Sequence, residues 1–264
     1  MAKRRFAVLS FVAAALLAGA SGQPTWAQCE DPNVPAPCAK AGPQTPRDIS
    51  MTAGENPVRF AKALPVTQLR LCDIHFHRFA ENKIPGTAPA LPPGEGFTCN
   101  LKKDAAARDL KGGLDRSKVC ESVELFDTVE VHWVYTSCNV EPAPCLTSCF
   151  SPSCLNPELR VAAQVFYVTP DNYPRAVDWQ RAGYDRYPPS QSGNVELLGS
   201  TTGEKFNGAD TCSPYQATWS VAPSCQPLTL ASLGRWCDEN VYDERKPQGV
   251  RRLVTDVKLL AKIP

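Results

Sequence analysis

Asp73-Ile74-His75-Phe76-His77 and Thr128-Val129-Glu130-Val131-His132-Trp133-Val134 hold the only three histidines of this chain. In both stretches β-branched and aromatic residues alternate with polar ones, which is the pattern of a β-strand. Residues two apart in a strand point to the same face. His75 and His77 therefore project together with Asp73 beside them, while Ile74 and Phe76 face apolar packing on the other side. In the second stretch Glu130 and His132 share a face. The economical reading is that all three histidines bind one metal ion.

Chemistry supports that reading. A tetrahedral Zn2+ held by three neutral imidazoles keeps a fourth position open for water. The metal lowers the pKa of that water to about 7, so hydroxide is available near neutral pH. Ligating histidines usually donate their other ring N–H to a carboxylate or carbonyl. Asp73 and Glu130 each lie two residues before a histidine and are the expected carboxylates behind the ligands. Which imidazole each one serves is open in the sequence. A lone His-x-His would fit packed or surface strand histidines equally well; its pairing with Glu-x-His on a second strand is what favours a metal.

The chain begins like an exported protein. Lys3, Arg4 and Arg5 precede an apolar run from Phe6 to Ala20, and small residues offer cleavage after Ala20, Gly22 or Ala27. This predicts a signal peptide over 1–27 and one domain over 28–264, located in the periplasm or secreted. The alternative, an uncleaved anchor, is disfavoured because the run is shorter than the roughly 20 residues a membrane span needs. Without its basic start the chain carries 25 basic and 27 acidic residues, and no basic patch stands out. Nucleic acid is therefore not an expected partner.

All 12 cysteines follow the signal segment, an even count that implies disulfides in an oxidising compartment. Cys138, Cys145, Cys149 and Cys154 crowd one Pro- and Ser-rich loop. A four-thiolate zinc site is conceivable there, but its spacing is irregular and disulfides are favoured.

Along the chain, residues 29–57 are expected to wrap the surface as irregular structure. Val66 to Phe79 and Val123 to Tyr135 are the histidine-bearing strands. Ile84 to Gly96 reads as a loop, Leu101 to Leu114 as a stretch with a short helix, and Asn172 to Asn194 as turn-rich. Leu159 to Val168 is a nearly continuous apolar strand, Tyr215 to Val221 another, and Leu228 to Asn240 a short helix. Strands outweigh helices and the 25 prolines break the chain often. The expected fold is mainly β: one domain on a large, twisted, mostly antiparallel sheet with a few short helices.

Taken in order, these motifs resemble the carbonic anhydrases. The α-class has a His-x-His strand, a Glu-x-His strand, a Ser-x-Thr-Thr-type loop and a Val-Thr-Trp strand. Here the order is His75-Phe76-His77, Glu130-Val131-His132, Ser200-Thr201-Thr202 and Ala217-Thr218-Trp219. The Cys-rich insertions and the wording Cys72-Asp73-Ile74-His75-Phe76-His77, Val131-His132-Trp133-Val134-Tyr135 and Gly199-Ser200-Thr201-Thr202-Gly203 are more similar to the δ-class and its bacterial members. The resemblance runs from about Leu69 to Arg252. Toward its end Asn240, Pro247-Gln248 and Arg251-Arg252 are loosely similar to the α-class closing segment.

The resemblance implies an α-class-like fold, Zn2+ on His75, His77 and His132, and reversible hydration of carbon dioxide to bicarbonate. It implies that Thr201, hydrogen-bonded to a buried glutamate, orients the nucleophile; Glu81 is the candidate glutamate. Val134 and Val161 match the apolar wall that holds carbon dioxide, and Thr202 would help place bicarbonate. Two departures matter. No histidine remains to shuttle protons once the ligands are assigned, so proton transfer is expected to limit turnover. Ser200 replaces a leucine found in many α-class enzymes, which implies a slightly more polar pocket.

Two rivals come from other classes. His75-x-His77 followed by Glu81 fits the first motif of a cupin, with His132 as fourth ligand and manganese or iron as metal. Against it, no glycine sits at the expected distance before His75, and Thr136 occupies the place of the second motif's asparagine. The other rival is a non-catalytic exported zinc-binding protein of the same fold, which the intact ligand triad disfavours.

Overall fold

The computed structural model describes residues 38–92, 94–100, 120–190, 192–201 and 211–264. The signal segment, Cys29, Thr202 and the helix expected within Leu101 to Leu114 lie outside these residues.

Among the described residues the strands are β1 (Arg70–Arg78), β2 (Thr87–Pro89), β3 (Phe97–Cys99), β4 (Thr128–Thr136), β5 (Leu159–Thr169), β6 (Val195–Ser200), β7 (Gln216–Val221) and β8 (Gln226–Thr229). The α-helices are α1 (Trp179–Ala182) and α2 (Leu230–Glu239). One six-stranded sheet runs β1-β4-β5-β7-β6, with β8 on the far half of β5. The pairs β1/β4, β4/β5 and β6/β7 are antiparallel, as expected of most of the sheet; β5/β7 and β5/β8 are parallel, so the sheet is mixed.

Both faces of the sheet are covered, which explains the apolar run in β5. Every residue of β4 is buried. Its Val129, Val131, Trp133 and Tyr135 join Ile74, Phe76 and Phe166 under the helices, against Trp179, Leu233 and Trp236. Trp133 stacks on Trp179 at 5.8 Å and donates its Nε1–H to Tyr184 O at 2.7 Å. Truncating a core aromatic such as Trp133 to alanine would cost about 3–5 kcal/mol. The other face of β4 belongs to a second core, where Val134 meets Val161, Ala163, Leu197, Trp219 and Val221.

Several expectations change. The irregular stretch before Pro57 does not stay on the surface: Gln44, Thr45 and Arg47 have no exposed area. Most of its polar groups find partners inside, Arg47 Nε being the exception. Gln44 Oε1 accepts from Ser213 N at 2.8 Å and from Ser200 Oγ at 3.1 Å, and Arg47 Nη1 donates to Ala261 O at 2.5 Å. Gly199 and Ser200, expected in a loop, end β6 instead. A Cβ at Gly199 would collide with Thr45 Cγ2, so the buried strap needs glycine there. The loop from Ile84 to Gly96 contains β2, which pairs with β3, and the turn-rich segment contains the single turn α1, capped by Asp178.

Disulfides join Cys38–Cys212, Cys72–Cys149, Cys99–Cys225, Cys120–Cys237 and Cys138–Cys154. Cys145 is also disulfide-bonded, so the Cys-rich loop is cross-linked rather than a thiolate zinc site. No helix among the described residues is long and apolar enough to cross a membrane.

Candidate metal centre

The register of β1 on β4 sets His75 opposite His132 and His77 opposite Glu130. The three imidazoles project into the face shared with Val134, and their ligand atoms all lie within 4.8 Å of one another. A break in register between Leu71 and Asp73 precedes them, where the Cys72–Cys149 disulfide and a Ser148 Oγ bond to Cys72 O at 2.7 Å hold the strand.

Two of the imidazoles are hydrogen-bonded from behind, and the third has a carboxylate near it. Asp73 Oδ2 lies 2.6 Å from His75 Nδ1, and Gly249 O lies 2.8 Å from His77 Nδ1. A carboxylate or carbonyl only accepts, so both Nδ1 atoms carry the proton and both Nε2 atoms present a lone pair. Glu130 Oε1 is 3.3 Å from His132 Nε2, close but outside hydrogen-bond geometry, and Nδ1 of His132 faces the cluster, 3.1 Å from His75 Nε2. Two lone pairs at that separation repel unless something positive lies between them. Zn–N bonds of 2.0–2.1 Å at tetrahedral angles put nitrogens about 3.3 Å apart. His77 Nε2 is buried without a hydrogen-bond partner. The donor set therefore fits a divalent cation.

The electrostatics suit ligation. Burial pushes His77 down to about 3 despite the Glu81 charge, and burial with the neighbouring His75 holds His132 well below the usual imidazole range. Both stay neutral at neutral pH. For His75 burial opposes protonation, but the Asp73 carboxylate outweighs it and its pKa is raised.

Behind the imidazoles lie two buried carboxylates of opposite character. Glu130 accepts from the backbone of Glu81, from Asn82 N at 3.0 Å and from Asn82 Nδ2 at 2.8 Å. Burial, and then the charge of Glu81, raise it to about 7. Glu81 is placed by a turn just after β1, where Phe79 takes a φ of 70°, an uncommon conformation for a bulky residue. Burial opposes its ionisation, but the Arg251 guanidinium outweighs it and holds the carboxyl far below the usual carboxylate range. Glu81 Oε2 comes within 3.7 Å of His77 Nε2.

The other expected site residues are distributed around this cluster. Val134 and Val161 sit directly opposite one another across β4 and β5, both fully buried. Thr201 follows β6, is 5 % exposed, and donates its N–H to Tyr215 O at 2.9 Å. Among the described residues no hydrogen bond joins the Thr201 hydroxyl to Glu81, whose oxygens are taken by Arg251. Trp219 connects this end of β6 to the metal cluster. Its Nε1–H donates to Ser200 O at 3.0 Å, and its ring meets His132 edge-on at 5.1 Å. Ser200 itself does not make the pocket more polar, because its hydroxyl donates to Gln44 in the buried strap.

Sequence reasoning missed the contribution of the C-terminal segment. Gln248 bridges β1 in parallel beside His77, donating to Phe76 O at 2.7 Å and accepting from Arg78 N at 3.1 Å. That docking delivers Gly249 O to His77 and Arg251 to Glu81. The one signal was the loose similarity of Pro247-Gln248 and Arg251-Arg252 to a closing segment, which said nothing about partners.

Comparison with known families adds an independent line. The family model described as Delta carbonic anhydrase matches residues 66–232. No curated protein matches the chain in sequence. The matched span takes in the three histidines, Asp73, Glu81, Glu130 and Thr201, and ends before Gly249 and Arg251. It covers more than half of the chain, so the chain belongs to the delta carbonic anhydrase family, lyases that hydrate carbon dioxide.

Proposed function

We propose that the chain works as an exported zinc enzyme that reversibly hydrates carbon dioxide to bicarbonate and a proton. The observation that carries this reading is the convergence of three imidazoles whose ligand atoms lie within 4.8 Å of one another, with His75 and His77 each hydrogen-bonded to an acceptor through Nδ1. Three imidazoles without a carboxylate suit zinc better than manganese or iron. When bound, zinc supplies an activated water near neutral pH and a positive charge against developing negative charge.

The protein's own groups do the rest. Asp73 and Gly249 O hold His75 and His77 in the ligating tautomers, and Glu130 stands 3.3 Å behind His132. Val134 and Val161 provide the apolar wall against which carbon dioxide is held for attack. Glu81, kept anionic by Arg251, and Thr201 orient the attacking water, and Thr202 helps place bicarbonate. The signal segment over 1–27 directs export to the periplasm or medium, a reading supported by five disulfides between described cysteines.

The cupin reading loses its support in Glu81, whose carboxylate pairs with Arg251 rather than joining the cluster. A stopped-flow hydration assay with metal analysis on the same sample, and His132→Ala as control, tests the proposal. Fast hydration with one zinc per chain, both lost in the control, is expected. Zinc without hydration would favour a binding protein, and manganese or iron without hydration would favour the cupin.

A further inference from the structure

A cross-linked wall covers one side of the metal-bearing face. His132, Val134 and Thr136 alternate along β4 and share that face. The Thr136 hydroxyl donates to Cys149 O at 2.8 Å, which seats the short 3-10 helix Leu146–Cys149 on it. Leu146 opens this turn and Phe150 follows it. Both pack against the buried cluster that holds Val134, Val161, Leu197 and Trp219. Each is half-buried, so part of the side chain stays open to an entering molecule, unlike Val134 and Val161 beneath.

Phe150 also reaches across to the far side of the site. Its ring lies 5.2 Å from that of Tyr215, tilted by 60°. Tyr215 O accepts from Thr201 N at 2.9 Å. A line of contacts therefore runs from Thr136 through Cys149, Phe150 and Tyr215 to Thr201. It starts on the face that carries His132 and ends at Thr201, so it bounds the apolar side of the proposed reaction site.

The wall is stiff. Cys72–Cys149 and Cys138–Cys154 cross-link the loop. Ser148 Oγ donates to Cys72 O at 2.7 Å, and Ser151 and Cys154 exchange backbone hydrogen bonds of 3.2 and 2.8 Å. A side chain tethered in this way cannot swing aside without moving the strand it is bonded to. Carbon dioxide is linear and bears no substituent on the carbon that is attacked. An ester bears two there. An apolar wall that cannot yield discriminates by size, and each methylene too many costs about 10–200-fold.

We propose that the Cys-rich loop is the size filter of the metal centre, with Phe150, braced by Tyr215, and Leu146 as the residues that admit carbon dioxide and keep out larger carbonyl compounds. The filter rests on the hydration function proposed above.

The test compares the oxidised, zinc-loaded protein with Phe150→Ala and with the milder Phe150→Leu. Two ratios are read. One is turnover of 4-nitrophenyl acetate relative to carbon dioxide hydration. The other is calorimetric affinity for benzoate relative to acetate, two carboxylates of the kind that ligate zinc. Both ratios should rise by about tenfold or more in Phe150→Ala and by a smaller factor in Phe150→Leu. Adding His132→Ala to Phe150→Ala should abolish the gain in ester turnover. Either ratio unchanged in both variants, or an ester gain that survives His132→Ala, would overturn the filter while hydration by the unaltered protein stands. No hydration by the unaltered zinc-loaded protein would overturn the proposed function, and the filter with it.

Discussion

Arg251 and Glu81, 170 residues apart in sequence, form a buried ion pair that occupies both carboxylate oxygens. Arg251 N and Nε donate to Oε1 at 2.7 and 3.2 Å, and Nη2 donates to Oε2 at 3.0 Å. The pair fixes an anion at the edge of the histidine cluster and ties the C-terminal segment to the turn after β1.

Removing one partner leaves a buried charge with no counter-ion. Arg251→Met should lower stability by about 3–5 kcal/mol. The double variant Glu81→Gln, Arg251→Met should lose clearly less, because no charge is stranded. Urea unfolding of the three proteins checks this; equal losses in the single and double variants would contradict it. On the proposed role of Glu81, hydration should fall in both variants: the single change removes the guanidinium that positions its carboxylate, and the double change removes the carboxylate itself.

Asp73 sets the tautomer of His75 through the 2.6 Å contact with Nδ1. Asp73→Ala should weaken zinc binding by about 10–100-fold, the usual cost of losing a group that orients a ligand. Competition with a chelator of known affinity measures it. Affinity equal to that of the unaltered protein would mean that the strand alone orients His75.

The imidazole pKa values give the metal-free protein a characteristic pH dependence. His77, at about 3, and His132, well below its usual range, bind no proton near neutrality, whereas His75 is raised. As pH falls through the His75 pKa, a proton competes with the metal at that ligand only. Zinc affinity should therefore fall by about tenfold per pH unit below that point. The logarithm of the affinity plotted against pH should have a slope near one; a slope near three would show that all three imidazoles titrate together.

All three histidines of the chain are in the metal cluster, so none is left to carry protons to solvent. Turnover should rise with the concentration of imidazole buffer and level off at high buffer. A rate that does not respond to buffer would show that another group carries the proton.

The period-2 alternation around His75 and His132 was enough to place the ligands on one face and Ile74 and Phe76 on the other, because strand geometry is local. The continuous apolar run from Leu159 to Val168 located β5, and the readings of Tyr215 to Val221 as a strand and Leu228 to Asn240 as a short helix located β7 and α2. The groups that hold the ligands were less legible. Asp73 and Glu130 were visible because they lie two residues from histidines. Gly249 and Arg251 act from 172 and 170 residues away on His77 and Glu81, and no local pattern carries that information. The buried strap at Gln44 to Arg47 was misread as surface for a related reason. Its polar side chains bond to distant partners, among them Ser200, Ser213 and Ala261, and composition alone does not show that.

The most direct test of the account is zinc titration of the chelator-stripped protein in a stopped-flow hydration assay. Hydration should be absent without metal, rise linearly with added zinc, and stop rising at one zinc per chain. Hydration by the stripped protein, or activity that never returns although one zinc is bound, would contradict the three-histidine zinc centre as the seat of catalysis.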